Sequence, residues 1–201
     1  MNTPSLFRFA LFAAATFFAL PSQAETIFIL TDDGKLASTS SANVGAHSTP
    51  LTVSGITAGE SLVSIDVRPQ NQKLYALGVN ATTNTATLYL VNPATGFAGV
   101  VGTASAVALT TDGTTPVDFP DAATVAWDID FNPSADRVRV VAGSLNFRIN
   151  PNTGVAVDGN AGVTGTNPDG AINGGTTTIG ATLTRTASRT RPPPRNTRWM
   201  L

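Results

Sequence analysis

SIDVRPQNQKLYALG at 64–78 and DIDFNPSADRVRVVAGS at 128–144 are the two stretches that decide the fold of this 201-residue chain. Both open on Ile-Asp, an aromatic residue or Val, any residue and Pro, followed by about four polar residues and an apolar run. Each is followed by a second pair of runs around Asn-Pro-x-Thr-Gly: TLYLVNPATGFAGVVG at 87–102 and LNFRINPNTGVAVDG at 145–159. Pro93 and Pro151 fix φ near −65°, which suits the second position of a tight turn. Gly96 and Gly154 can then take the positive φ that returns the chain. Within 125–131, Val125, Trp127, Ile129 and Phe131 fall on one strand face, and Asp128 and Asp130 on the other.

Working outward, the runs 26–30, 62–67, 73–78, 86–91, 125–131, 137–142 and 145–149 alternate or are fully apolar. They are separated by Asp-Gly, Asn-Pro and Thr-Gly turns, and almost no 3.6-residue periodicity is present. A further hairpin, TIFILTDDGKLAST at 26–39, matches the second half of the longer unit, with Gly34 at its turn. Gly34, Gly96 and Gly154 are 62 and 58 residues apart. A unit of roughly 60 residues and about four strands is the pattern of a propeller blade. The expected fold is therefore all-β, a partial β-propeller-like array of antiparallel sheets. Closed propellers use about four to eight blades, more than this length supplies, so the array is expected to be incomplete and open to oligomer formation or edge-strand association.

Composition narrows the chemistry. Only 12% of residues are charged, about half the usual share, while Thr occurs 30 times. With Cys 0, thiol nucleophiles, Cys-ligated zinc and iron–sulfur clusters are excluded. His47 is the single histidine, which excludes a multi-His metal site and argues against a His-dependent triad.

The two ends read differently from the middle. In residues 1–24, Arg8 precedes an unbroken apolar stretch over 9–20, and Pro21-Ser22-Gln23-Ala24 supplies a break and small residues. This is the plan of a secretory signal peptide, shorter than the ~20 apolar residues of a membrane span. It predicts a mature chain starting at Glu25, secreted or periplasmic, with no transmembrane anchor. The body, 25–184, has six Lys or Arg against all 13 acids, whereas 185–201 carries five Arg and three consecutive Pro. That tail is expected to stay outside the fold as a disordered basic segment, the product of a frameshift or truncated reading frame.

Taken together, LYAL, VNPATG, DFNP, DRVRVV and RINPNTG, led in by 55–60 (GITAGE), resemble a bacterial secreted family known as the domain of unknown function 4394. The resemblance implies a propeller-like β fold and an exported protein. It implies no catalytic residue and no activity. Where members of that family continue with further strands, this chain departs after Ala181-Thr182.

Asp66 and Asp130 occupy equivalent places in Ile-Asp-x-x-Pro. They are expected to accept backbone N–H groups of the following turn rather than to act as ligands around a central channel. Asp128 and Asp130 lie at i and i+2 on one strand face, about 7 Å apart. With Arg148 as counter-charge they are the candidate ligand-binding residues, and Ca²⁺ is the one cofactor such a pair suggests. Asp158 to Gly162 and Asn167 to Gly170 resemble fragments of calcium loops but read as turns, since neither follows an EF-hand spacing. His47 reads as an exposed loop residue. No phosphate-binding loop, dinucleotide fingerprint or Gly-x-Ser-x-Gly elbow occurs. The expected function is a non-enzymatic binding or scaffold module for an extracytoplasmic ligand or protein, without nucleic acid. The alternative is a hydrolase or lyase at the propeller mouth using Asp and Arg groups with Ca²⁺. The two differ in whether Asp66, Asp128, Asp130 and Arg148 converge on one concave site.

Overall fold

The computed structural model of the chain describes residues 24–170 and Ala181. The segment read as a signal peptide, as far as Gln23, and the basic segment from Arg185 lie outside the described residues. Within them the chain is β throughout, with no helix. Three sheets follow one another in chain order. The first holds β1 (Thr26–Leu30), β2 (Lys35–Ser40) and β3 (Asn43–His47), with β4 (Leu51–Thr52) also pairing β2. The second holds β5 (Ser61–Arg68), β6 (Lys73–Asn80), β7 (Thr85–Val91) and β8 (Ala98–Val100), with β9 (Val107–Ala108) pairing β7. The third is the meander β10 (Trp127–Asn132), β11 (Arg137–Ala142), β12 (Leu145–Ile149) and β13 (Ala156–Val157). Each named strand pair is antiparallel. The result is a partial propeller-like array.

Burial explains why the apolar runs fall where they do. The second sheet is covered on both faces, and accordingly KLYALG is nearly continuously apolar. One face sends Tyr75, Leu77 and Leu88 into a core shared with Ile129, Phe131, Val138, Val140 and Phe147 of the third sheet. The other sends Leu74, Ala76, Tyr89 and Val91 against Leu36 of the first. The Tyr75 and Phe131 rings meet edge to face across the first of these contacts, with centroids 5.2 Å apart. β10 alternates strictly between buried and half-buried residues, its core side facing the second sheet, while on the opposite face Val141 and Asn146 are buried and Asn146 bonds to Gly170.

The turn glycines do more than reverse the chain. Gly34, Gly96 and Gly154 have φ of 72°, 74° and 72°. In the two Asn-Pro turns, Gly96 N–H donates to Asn92 O at 2.9 Å and Gly154 N–H to Asn150 O at 2.8 Å. The asparagine side chains accept the amides of Ala94 and Asn152, both at 3.0 Å. A Cβ at Gly96 would overlap the carbonyl oxygen of Thr52 in the first sheet, and one at Gly154 that of Val101, just past β8. A Cβ at Gly34 would meet nothing within 4 Å. Two of the three glycines therefore let the backbones of neighbouring sheets touch.

Gly34→Ala is expected to cost about 1–2 kcal/mol, the left-handed backbone strain alone. Gly154→Ala adds overpacking against a neighbouring backbone and is expected to cost about 3 kcal/mol. Urea unfolding of the two variants side by side measures the difference, and equal losses would contradict the contact.

Candidate functional site

β10 forms one edge of its sheet, and in its antiparallel pairing with β11 alternate amides face away from the partner strand. Two side chains of β5 take up these outward amides. Ser64 Oγ accepts the N–H of Ile129 at 3.2 Å and donates to Asp128 Oδ1 at 3.0 Å. Asp66 Oδ2 accepts the N–H of Phe131 at 2.8 Å, while its Oδ1 accepts that of Val67 at 2.7 Å. Ser64 and Asp66 are two residues apart and so share a strand face, the same period as the amides they meet. The sequence reading placed such a carboxylate on the turn that follows it. In the third sheet that turn is held instead by Asn132 Oδ1, which accepts the amides of Ser134 and Ala135 at 3.0 and 2.9 Å. Burial pushes the Asp66 carboxyl above its usual range; the two amide bonds pull it down, and the charges of Asp130 and Asp128 push it up again.

Arg68, at the end of β5, closes the same seam. It is 5% exposed, and its guanidinium pairs with Asp136 in the β10–β11 turn through Nε, at 2.8 Å, and Nη2. Nη2 also donates to Asn152 Oδ1 in the β12–β13 turn at 2.8 Å, and Nη1 to Tyr75 Oη at 3.4 Å. The Asp136 bond, above all, holds the guanidinium in its charged form. Arg68 was not singled out in the sequence, because a strand-terminal arginine looks like any solvated one until its partners in other turns are known.

The candidate ligand-binding residues stand on one face of the third sheet, Asp128 and Asp130 on β10 and Arg148 two strands away on β12. Asp130 stands opposite Arg139, which stands opposite Arg148. Arg148 is held by a residue that the sequence left in a turn: its Nε lies 2.8 Å from Asp169 Oδ2 and its Nη2 2.6 Å from Asp169 Oδ1. Arg139 Nη1 reaches the same carboxylate at 2.6 Å and Asn146 Oδ1 at 2.6 Å. Among the described residues, no group of three His, Asp or Glu side chains is placed to hold a metal ion. His47 is exposed at the end of β3. Asp158 behaves as a turn residue, accepting the amides of Asn160 and Asn167 at 3.1 and 3.0 Å.

The lead-in 55–60 has a structural role of its own. Glu60 accepts the hydroxyls of Tyr89 at 2.6 Å and Thr87 at 2.5 Å, and Tyr89 Oη accepts the amide of Thr57 at 2.8 Å. A side chain at Gly78 would displace the Glu60 carboxylate. Burial, then the bond to Glu60, raises the Tyr89 hydroxyl above its ordinary pKa.

Beside this seam opens a cleft of about 690 Å³. Thr31 and Asp32 reach it from the end of β1, Ser61, Leu62 and Ser64 from β5, and Trp127 from the start of β10. Ser64 thus both lines the cleft and caps the neighbouring sheet, whereas Arg148 is not among the lining residues.

The sequence profile of one family, described as "Domain of unknown function (DUF4394)", matches residues 35–186. No curated protein and no solved structure matches the chain.

Removing the Asp66 carboxylate orphans the Phe131 amide, so Asp66→Ala is expected to cost about 1–3 kcal/mol. A carboxyl whose pKa is raised by folding contributes most below its unfolded value, and that contribution is lost as pH rises through the folded value. The stability advantage of wild type over Asp66→Asn should therefore be larger below the ordinary value of 3.8 than at neutral pH. Urea unfolding across that range measures it; an advantage growing with pH would contradict burial as the dominant cause.

Proposed function

From the premise that the chain belongs to this family, whose description states no activity, we propose a binding module whose ligand enters the cleft between β1, β5 and β10. The observation that carries this reading is the division of labour at the seam. Asp66 and Arg68 are engaged in holding sheets together, and Arg148 is clamped on Asp169. The cleft is instead lined by Ser and Thr hydroxyls, small and aliphatic side chains, the Trp127 ring and one carboxylate, Asp32. Such a lining suits a neutral, polar ligand or an extended loop of a partner protein, fixed by a few hydrogen bonds and one apolar contact. The reading is non-enzymatic and needs no cofactor, and it places the protein outside the cytoplasm on the strength of the segment 1–24. Ca²⁺, suggested by Asp128 and Asp130, enters as a probe in the test.

A thermal-shift panel of Ca²⁺, EDTA, neutral oligosaccharides and short peptides tests the proposal on wild type and on Ser61→Arg, which fills the cleft. At least one oligosaccharide or peptide is expected to raise the wild-type midpoint and not that of the variant. A panel in which only Ca²⁺ and EDTA move the midpoint, or in which every shift survives Ser61→Arg, contradicts it.

A further inference from the structure

A second cleft, of about 510 Å³, opens where the start of β6 and the end of β7 meet β8, and Phe28 of β1 also lines it. Its walls are largely apolar, with Leu74, Val91, Phe97 and Val100 among them. Phe97 and Val100 are 57% and 40% exposed, although the central strands β6 and β7 beside them are almost wholly buried. The Phe97 ring is backed by glycines: a Cβ on Gly55 would stand 3.0 Å from its Cε2 and one on Gly99 3.7 Å from its Cε1. The ring is thus held in place yet left open to water, which marks a contact surface rather than a piece of core. The volume falls within the ~300–1,000 Å³ of small-molecule sites.

One charge stands on this apolar wall. Lys73 is the single ionisable side chain among the lining residues. The other Lys and Arg side chains among the described residues are engaged: Lys35 by Asp33, Arg68 by Asp136, Arg139 and Arg148 by Asp169, and Arg137 by the Asp136 carbonyl. Among the described residues, nothing bonds to or pairs with Lys73 Nζ. Asn92, also on the wall, stands at the next step of the β6–β7 register, in which Leu74 faces Val91. Lys73 and Asn92 are therefore cross-strand neighbours, about 5 Å apart at Cβ. Asn92 Oδ1 accepts the Ala94 amide at 3.0 Å, and its Nδ2 is left as a second donor. A lone ammonium beside an amide donor suits a carboxylate, which both can meet with charge-assisted hydrogen bonds; a dianion would call for a second cation.

We propose that this cleft is a second ligand site, which takes a free aliphatic carboxylic acid with its head on Lys73 and Asn92 and its chain against Val100 and Phe97. Lys73 on β6 and Val100 on β8 lie two strands apart, about 10 Å at the ~4.8 Å strand spacing, so the apolar part of the ligand is extended rather than round. The site is independent of the hydroxyl-lined cleft between β1, β5 and β10, with which it shares no lining residue.

Titration calorimetry of the purified protein tests this, with sodium decanoate below its micelle concentration and with decyltrimethylammonium, which carries the same chain on a cation. The wild type is expected to bind decanoate and to prefer it over the cation. Lys73 is exposed, so its variants keep the fold: Lys73→Gln is expected to weaken decanoate about threefold to fivefold, the size of an exposed ion pair, and Lys73→Glu to reverse the preference. Phe97→Ser is expected to weaken both probes, and Ser61→Arg, which fills the other cleft, to leave decanoate binding intact. No binding of decanoate, equal affinity for the two head groups, or a preference unchanged in Lys73→Glu overturns the proposal. So does loss of decanoate binding in Ser61→Arg, or a protein that ignores decanoate but sediments with phosphatidylglycerol vesicles.

Discussion

The hydrogen bonds from the outward amides of β10 to Ser64 and Asp66 are the constraint on which the arrangement of sheets depends. A strand edge that faces neither a partner strand nor water carries donors that each cost on the order of 1–3 kcal/mol if left unmade. A neighbouring strand would satisfy them by extending the sheet. Side chains satisfy them while leaving the second sheet free to stack against the third, Tyr75 against Phe131. The seam thus decides that these elements form separate, packed sheets rather than one continuous ladder. Arg68 fixes the far end, since it reaches two different turns of the neighbouring sheet at once.

A second line of contact runs along the Asn-Pro-x-Thr-Gly turns. There the sheets approach backbone to backbone, and only glycine leaves room. The apolar core between the lines supplies most of the driving force, at about 25 cal/mol per Å² buried, but it is tolerant of small slips. The polar seam and the glycine contacts are not tolerant, because an amide shifted by one residue points the other way. This division explains how a chain with only 12% charged residues uses several of them inside the structure. It also accounts for the position of the cleft, at the place where Ser64 serves both neighbours.

The strands with strong apolar runs were legible in the sequence: 26–30, 137–142 and 145–149 coincide with β1, β11 and β12, and 62–67, 73–78, 86–91 and 125–131 fall within one or two residues of β5, β6, β7 and β10. β3 and β4 were not, because they are exposed along their whole length and carry no apolar alternation. β9 and β13, two residues each, are too short for any period. The architectural role of Asp66 was legible, since its place before a proline turn argued for an amide acceptor. Its true acceptor role, across to another sheet, needed the third dimension. For the same reason Asp169 looked like a turn residue, and its hold on Arg148, from a loop 21 residues away in sequence, was not legible. The cleft has no motif at all; its lining comes from strand ends that only the packing of sheets brings together.

Amide hydrogen exchange at Phe131, followed by NMR in wild type and in Asp66→Ala, tests the seam most directly. In wild type the Phe131 amide should be protected like the ladder amides of β11. In the variant it should exchange at least about tenfold faster, the equivalent of one lost bond of roughly 1.4 kcal/mol, while Val140 and Phe147 keep their protection. A Phe131 amide that exchanges freely in wild type, or at the same rate in both proteins, would contradict the account.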